Sequence, residues 1–507
     1  MRKRAKSTVS LNARIASAVL AALTIPCIAQ TPRGPEPIRL DPHNPHYFVY
    51  QGKTIALITS GEHYGSVMNA DFDYHKYLMA IAADGLNYTR LFGGSYVEVP
   101  GTSFGIKRNT LAPAPGRLIL PWARSAEPGY AGGGNKFDLG QWDPEYFRRL
   151  NDFLSAAARR GVIVEISLFS SQYGEPQWKV SPFNSPNNVN QTSVTDYKRL
   201  NTLDNGNVLG YQERYVRKLV DEANAHPNVI FEIQNEPWSD HPILTDVVNP
   251  YLFQGRDQYP NSIEVADADS IAWQTRVAQW ITSEEAKLPH RHLTAQCYSN
   301  FRLSVRTLIP GVDVVNFHYA YPEAAAWNYG LNRAIAYDET GFLGHSDDAY
   351  RRQAWNFMLA GGSAFDALDY SFSVGHEDGT DTMPNGPGGG TPEFRRQLWI
   401  LAKFLSSFPL VEMKPDPEVV VHAEGVVAHA MSNATKSRDA IYFDGNGPSR
   451  VTLRLPAGSY SVSWLDPKTG QSTPGSKVTS NGGDVSLPAP EFENGIALSL
   501  TRVYLQK

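Results

Sequence analysis

From Tyr47 to Tyr370 the apolar residues fall into two alternating kinds of run. Short unbroken runs lie at 54–60, 86–92, 162–169, 229–234, 292–298, 313–318, 333–338 and 363–370. They do not alternate polar with apolar, as expected of strands covered on both faces. Between them the spacing turns helical. Phe147, Leu150, Phe153, Leu154 and Ala157 share one helical face, and Tyr215, Val216, Leu219, Val220 and Ala223 share another. Phe394, Leu398, Leu401, Leu405 and Phe408 make a third such stripe, each directed at a sheet. Gly85 and Gly161 stand where a helix must stop before the next strand, a place suited to left-handed backbone. Tyr47–Ile58, turning at Gln51-Gly52-Lys53, reads as a hairpin leading into the first buried strand. Eight strands with helices between them predict an α/β fold, a (β/α)8 TIM barrel with enlarged loops. An open doubly wound sheet fits less well, because no Gly-rich phosphate turn follows the first strand.

The rhythm breaks at Met413-Lys414-Pro415-Asp416-Pro417. Beyond it come only short alternating stretches, at 419–421, 440–443, 451–455, 460–464 and 496–500, with turns at Pro456-Ala457-Gly458 and Asp466–Gly470. They predict a small antiparallel β-sandwich. At the other end, Arg2, Lys3, Arg4, Lys6 and Arg14 precede an apolar run from Ile15 to Ala29 that is too short to span a bilayer. This reads as a secretory signal. The expected organisation is therefore a signal peptide at 1–29, a barrel at 30–414 and a β-sandwich at 415–507. A secreted or periplasmic location follows, with no integral membrane segment after signal removal.

Composition narrows the chemistry. Lys and Arg number 46 against 51 Asp and Glu, a net charge of −5, so nothing favours nucleic acid as a partner. Loss of the leader removes Cys27 and leaves Cys297 alone, which excludes an intrachain disulfide and a cysteine metal cage. His290-Arg291-His292 precedes a strand on the amino-terminal side of the barrel and reads as surface loop. Asp267-Ala268-Asp269 reads as a helix N-cap. No metal and no cofactor is expected.

The working face of such a barrel is the carboxyl end of its strands. There the fourth strand runs into Gln234-Asn235-Glu236-Pro237-Trp238, and the seventh into Asp338-Glu339-Thr340-Gly341. Two carboxyls facing each other across a barrel mouth are what glycoside hydrolysis requires. One protonates the leaving oxygen while the other attacks the anomeric carbon or stabilises its charge. Asp338 beside Glu339 is an alternative for the second group. Glu62-His63-Tyr64 ends the first strand and also faces the mouth.

Asn235-Glu236-Pro237 together with Glu339, Arg90 and His318, in that placement on strands, resembles the retaining, cellulase-type (β/α)8 glycoside hydrolases of the clan A kind. The resemblance spans roughly 50–412 as a spread of short motifs. It implies Glu236 as acid/base, Glu339 as nucleophile, and Asn235 on the sugar 2-hydroxyl. It also implies Arg90 as the cation that orients the nucleophile, and His318 lining the cleaved bond. The family's Tyr corresponds to Tyr319 or Tyr321, since its usual His-x-Tyr spacing is absent here. Its strand-eight Trp is replaced by Tyr370 or Phe372. Among the loop aromatics, Trp238 and Trp178 are the expected sugar contacts, with His63 beside them, and the others are expected to pack their own loops. The C-terminal sandwich, through Tyr460–Pro467 and Gly470, is similar to the β domains appended to cellulase-like and apiosidase-like barrels. The expected partner is a carbohydrate substrate. A glycan-binding protein on a barrel scaffold, and a metal-dependent hydrolase, are the alternatives.

Overall fold

Each of the eight apolar runs forms a strand: β1 (Leu57–Gly61), β2 (Tyr88–Phe92), β3 (Ile163–Ser170), β4 (Val229–Asn235), β5 (Leu293–Asn300), β6 (Val314–His318), β7 (Ala334–Glu339) and β8 (Ala364–Leu368). In this computed structural model, which apart from Met1 describes residues 36–101, 103–247, 261–382 and 386–503, the strands form one parallel sheet in the order β1-β8-β7-β6-β5-β4-β3-β2. The body of the signal expected at 1–29 lies outside the described residues. At the seam between β2 and β1 a side chain stands in for the ladder. Asn87 accepts from Ile58 N–H at 2.9 Å and donates to the Ala56 carbonyl at 2.9 Å.

Seven helices cover the sheet: α1 (Tyr74–Ala83), α2 (Pro144–Arg159), α3 (Val208–Ala223), α4 (Ala268–Glu285), α5 (Pro322–Asn328), α6 (Asp347–Leu359) and α7 (Pro392–Ser406). The stripes on α2, α3 and α7 are buried, and Gly85 and Gly161 take φ of +74° and +72° at the helix stops. Asp267 caps α4 by accepting from Ser270 N–H. The expectation of a helix between every pair of strands fails at 301–313, between β5 and β6. There side chains satisfy the backbone instead. Asn328 accepts from Val305 N–H, and the Tyr298 hydroxyl accepts from Ile309 N–H.

Inward side chains alternate along each strand and so stack in layers. The floor is apolar: Leu57, Tyr88, Ile163, Ile230 and Val314 close on Phe48 and Tyr50 of the entry hairpin. That hairpin pairs Phe48–Tyr50 with Lys53–Ile55 through a turn with positive φ at Gln51 and Gly52, which suits its twist. Two residues further up the same strands the layer turns polar, with Arg90, Glu165, Glu232, Asn316, Asp338 and Asp366 all buried. The site lies above it.

Past the barrel, strands at 413–415, 426–433, 438–445, 496–503, 458–465 and 472–474 form one antiparallel sheet, with 478–480 also pairing with 458–465. Strands at 420–422, 450–455 and 483–488 form a second. The boundary expected at 414/415 falls inside the strand Met413–Pro415, which pairs with Met431–Asn433. Along 438–445 side chains alternate. Ile441 and Phe443 face the second sheet, while Ala440 and Tyr442 join the barrel's core cluster. The described residues from Glu36 onward form one compact unit. Among the described residues no helix is long and apolar enough to cross a membrane.

Candidate active site

Five residues at the barrel mouth share an unusual backbone. Tyr64, Phe104, Tyr173, Glu236 and Tyr319 line one cavity, and all have φ between +46° and +65°. Side chains other than glycine rarely adopt this region, and such strain gathers where function needs a side chain re-aimed. Four of the five, Tyr64, Tyr173, Glu236 and Tyr319, fall within three residues of the end of β1, β3, β4 or β6. The left-handed residue there turns the chain out of the strand.

β7 achieves the same by a bulge. Its pairing with β6 runs Phe317 to Tyr337 and then His318 to Glu339, skipping Asp338. Strict alternation would send Asp338 inward and Glu339 outward. With the extra residue, Asp338 lies buried in the polar layer and Glu339 emerges at the mouth. Adjacent acids thus separate into different storeys, and of the two only Glu339 lines the cavity.

Glu236 and Glu339 face one another. An oxygen of each and a ring nitrogen of His318 all lie within 4.8 Å of one another. Their surroundings differ. Glu339 accepts from Arg90 Nη1 at 3.2 Å and from the Tyr319 hydroxyl at 2.9 Å, so both its oxygens are held. Glu236 pairs through Oε1 with His318 Nδ1 at 2.9 Å, and Ser171 fixes its backbone by donating to its carbonyl at 2.7 Å. Burial pulls the His318 imidazole down. The nearby Cys297 sulfur and the Glu339 and Asp338 carboxylates outweigh it and hold the ring well above its usual range.

Arg90 is the hub beneath. Its Nη1 also donates to the Tyr64 hydroxyl at 3.1 Å, and its Nη2 donates to Glu232 at 2.6 Å and to Asn235 Oδ1 at 3.0 Å. Asn235 in turn donates to the Tyr173 hydroxyl at 2.7 Å. The structure therefore brings Arg90, Asn235, Glu236, His318, Tyr319 and Glu339 together. Tyr321 stacks on Phe301 instead, and the hydroxyl on Glu339 is that of Tyr319.

Other expected residues fall elsewhere. Trp238 is buried and set edge-on to His318 at 5.9 Å, and Trp178 is buried in the short helix Glu175–Val180. Neither lines the cavity, because the large apolar area of an indole is spent on packing the loops after β4 and β3. Tyr370 is buried behind the wall, stacked on His63 with ring centres 6.2 Å apart. His63 does line the cavity, its Nε2 3.3 Å from Glu98. Glu62 beside it is structural, accepting from Ser66 at 2.6 Å and Thr110 at 2.5 Å, with burial pushing its carboxyl up. His292, expected on a surface loop, is buried, and both ring nitrogens are engaged, by Glu285 and by the His226 carbonyl. Glu98 was not legible in the sequence. It lies in the long loop after β2 with no motif around it.

Among the described residues three groups have the spacing to hold a cation: Glu232–Cys297–His318, and two built mainly of carboxylates, an upper one, Glu236–His318–Glu339, and a lower one, Glu165–Glu232–Asp338. In the lower one a donor already occupies the centre. Asn316 Nδ2 donates to Glu165, Glu232 and Asp338 at 2.7, 3.1 and 2.9 Å. Arg90 Nε adds a contact to Asp338 at 3.4 Å. In the upper one Arg90 already neutralises Glu339. These donor sets fit internal hydrogen bonding better than a metal. Burial, with Glu232 and Asp338 beside it, pushes the Glu165 carboxyl well up, whereas Arg90 and His318 hold Asp338 down against burial.

No family model matches this sequence, and no curated protein matches it either. Among solved structures, one described as a glycoside hydrolase superposes with a TM-score of 0.60 at 13% identity, covering 92% of this chain and 97% of that one. A glycoside hydrolase family 5 structure from Bacteroides vulgatus ATCC 8482 gives 0.59 at 13% identity, over 92% of this chain and 93% of that one. The shared fold extends beyond the barrel into the C-terminal sheets.

Proposed function

We propose that this protein is a retaining glycoside hydrolase, with Glu339 as nucleophile and Glu236 as acid/base. The observation that carries the reading is the facing pair, with an oxygen from each carboxyl within 4.8 Å at the mouth of the barrel. Retaining enzymes hold their carboxyls about 5–5.5 Å apart, whereas inverting ones leave room for a water at about 6.5–9.5 Å. The asymmetry of the pair supports this division of roles. Donors from Arg90 and Tyr319 reach both oxygens of Glu339 and hold its carboxyl in one orientation, as suits an attacking group. Among the described residues no hydrogen bond reaches Glu236 Oε2, which leaves it free to meet a glycosidic oxygen.

In the first step a Glu339 oxygen bonds to the anomeric carbon. The glycosidic C–O bond breaks, and the leaving oxygen takes a proton from Glu236. In the second, Glu236 takes a proton from water, whose oxygen attacks the same carbon and releases Glu339. In this reading Asn235, held by Arg90, would meet the sugar 2-hydroxyl. The leader expected at 1–29 would put this activity in the periplasm or the medium.

A screen of aryl glycosides and plant polysaccharides identifies the sugar. On the substrate so found, Glu339→Ala is expected to lower kcat by at least about 10⁴-fold, and azide to restore turnover with a glycosyl azide of inverted anomeric configuration. Ordinary activity in Glu339→Ala would refute the assignment. A glycan bound tightly and never cut by the unaltered protein would make it a binding protein instead.

A further inference from the structure

The space enclosed beside the two acids is about 40 Å³, far below the roughly 300–1,000 Å³ of ligand pockets. A sugar whose anomeric carbon reaches Glu339 therefore keeps most of its body outside that space, against the side chains at its outer edge. Among the described residues that line it, two are exposed, Phe104 at 39% and Phe342 at 42%. The aromatic residues expected to meet sugar stand back from it, since Trp178, Trp238, Tyr370 and Phe372 are all buried. The most open apolar rings at the mouth are thus those of the two phenylalanines.

Each ring is carried on an anchored backbone. On either side of Phe104, Ser103 and Ile106 are buried. The Ser103 hydroxyl accepts from Val99 N–H at 3.1 Å, and its carbonyl accepts from Ile106 N–H at 3.0 Å. Phe104 itself has φ of +53°, a costly conformation for a residue with a Cβ. Packing alone would hide an apolar ring, whereas here a strained backbone carries one into solvent. Phe342 stands three residues beyond Glu339, and the Tyr350 hydroxyl accepts from the next amide, that of Leu343, at 2.9 Å. Both rings lean on tyrosines tied to the reacting groups. Phe342 meets Tyr319, whose hydroxyl donates to Glu339, at 5.9 Å between ring centres. Phe104 meets Tyr173, whose hydroxyl accepts from Asn235, at 5.2 Å. The two phenylalanines meet each other at 6.5 Å. The face of an aromatic ring is negative, and it suits the C–H face of a sugar.

We propose that Phe104 and Phe342 are the sugar platform of this site, stacking on the C–H faces of the sugars at the bond to be cut. They take the place of the aromatic residue after β8, which is buried here. This inference rests on the glycosidase reading and deepens it.

The test uses the full-length protein with 4-nitrophenyl glycosides and with gluco-, manno- and xylo-hexaose, on whichever of them is cut. Phe104→Ala and Phe342→Ala are each expected to raise KM roughly tenfold, with kcat changed far less. Calorimetry in a Glu339→Ala background should show the same loss of affinity. Phe342→Trp keeps a flat ring and should hold KM near that of the unaltered protein. Phe342→Leu, apolar but not flat, should not. Phe104→Gly relieves the left-handed backbone and removes an exposed ring, so its unfolding midpoint should stay or rise while KM rises. An unchanged KM in both alanine variants overturns the platform and leaves a glycosidase. So does a KM that Phe342→Leu restores, or one that rises only as the unfolding midpoint falls, because either marks packing. No cleavage of any glycoside or polysaccharide by the unaltered protein removes the glycosidase reading and this inference with it.

Discussion

Tyr319 shows what one residue's backbone can do. Its φ of +49° turns the ring from the end of β6 back over the mouth, where the hydroxyl donates to Glu339 and the amide donates to the Glu339 carbonyl at 2.9 Å. Phe at this position keeps the ring and the packing but removes one bond to a carboxylate, worth about 1.5–3 kcal/mol for a charged acceptor. If that bond steers the nucleophile, Tyr319→Phe lowers kcat ten- to a hundredfold with little change in KM, while the thermal unfolding midpoint stays put. A kcat equal to that of the unaltered protein would mean the bond has no part in the reaction. The sequence offered Tyr319 and Tyr321 on equal terms, because a left-handed turn at a non-glycine residue leaves no compositional trace. Asp338 and Glu339 were likewise inseparable until the bulge placed one below the other. Arg90, Asn235, Glu236 and His318 were legible because strand-end position and residue type alone bring them together. Trp178 and Trp238 are buried away from this cavity, and a Trp on a working-face loop looks the same in sequence whether it stacks on sugar or on protein. Glu98 left no signal at all, because its meaning comes from His63, Asn109 and Tyr96, which fold around it.

The elements were read more surely than their connections. All eight strands lie where unbroken apolar runs stand, since a strand buried on both faces must be apolar almost throughout. The segment 301–313 was misjudged because its hydrogen bonds go to distant side chains, which periodicity cannot report. The loops after β3 and β4 are joined in a similar way. Buried Asp240 accepts from Gln172 N–H at 2.9 Å and Tyr173 N–H at 3.2 Å, and so fixes the turn that carries Tyr173 into the cavity. Burial pushes the Asp240 carboxyl up to about 7 despite those bonds. A carboxyl whose value is raised in the fold binds more protons folded than unfolded, so its contribution to stability falls as pH rises from about 4 to about 7. Asp240→Asn keeps an acceptor and cannot ionise. The difference in unfolding free energy between Asp240→Asn and the unaltered protein should therefore shift in the variant's favour between pH 4.5 and pH 8, by at most about 4 kcal/mol. Chemical denaturation at the two pH values measures it, and a difference independent of pH would show that Asp240 is ionised throughout.

At the scale of the whole molecule, the larger C-terminal sheet is covered on both faces. Ile441, Phe443, Leu498 and Leu500 pack against the second sheet, while Tyr442, Ala440 and Ala497 belong to the same cluster as the barrel helices. Trp355 of α6 meets Tyr442 at 5.4 Å and Phe404 of α7 at 5.1 Å, and Arg352 pairs with Asp444 at 2.6 Å. From the amino-terminal side, Asn44 donates to the carbonyls of Leu410 and Met413 at 3.1 and 3.0 Å. Each fully buried large side chain contributes about 1.5–3 kcal/mol, so uncovering Trp355 and Phe404 together costs a sizeable part of the 5–15 kcal/mol that holds a typical fold. The sandwich thus serves as a wall of the barrel's outer layer, and recognition of polymer is not needed to explain it. Truncation after residue 415 should yield protein that is insoluble, or that keeps its far-ultraviolet dichroism while losing its near-ultraviolet signal and cooperative unfolding. Tyr442→Ala in the full chain makes the finer test, because it opens the joint far from Glu236 and Glu339. It should cost about 3–5 kcal/mol of stability and leave kcat and KM unchanged in the cold. A soluble truncation with an unaltered unfolding midpoint, hydrolysing soluble oligosaccharides normally while binding polymer weakly, would instead make the sandwich a recognition module.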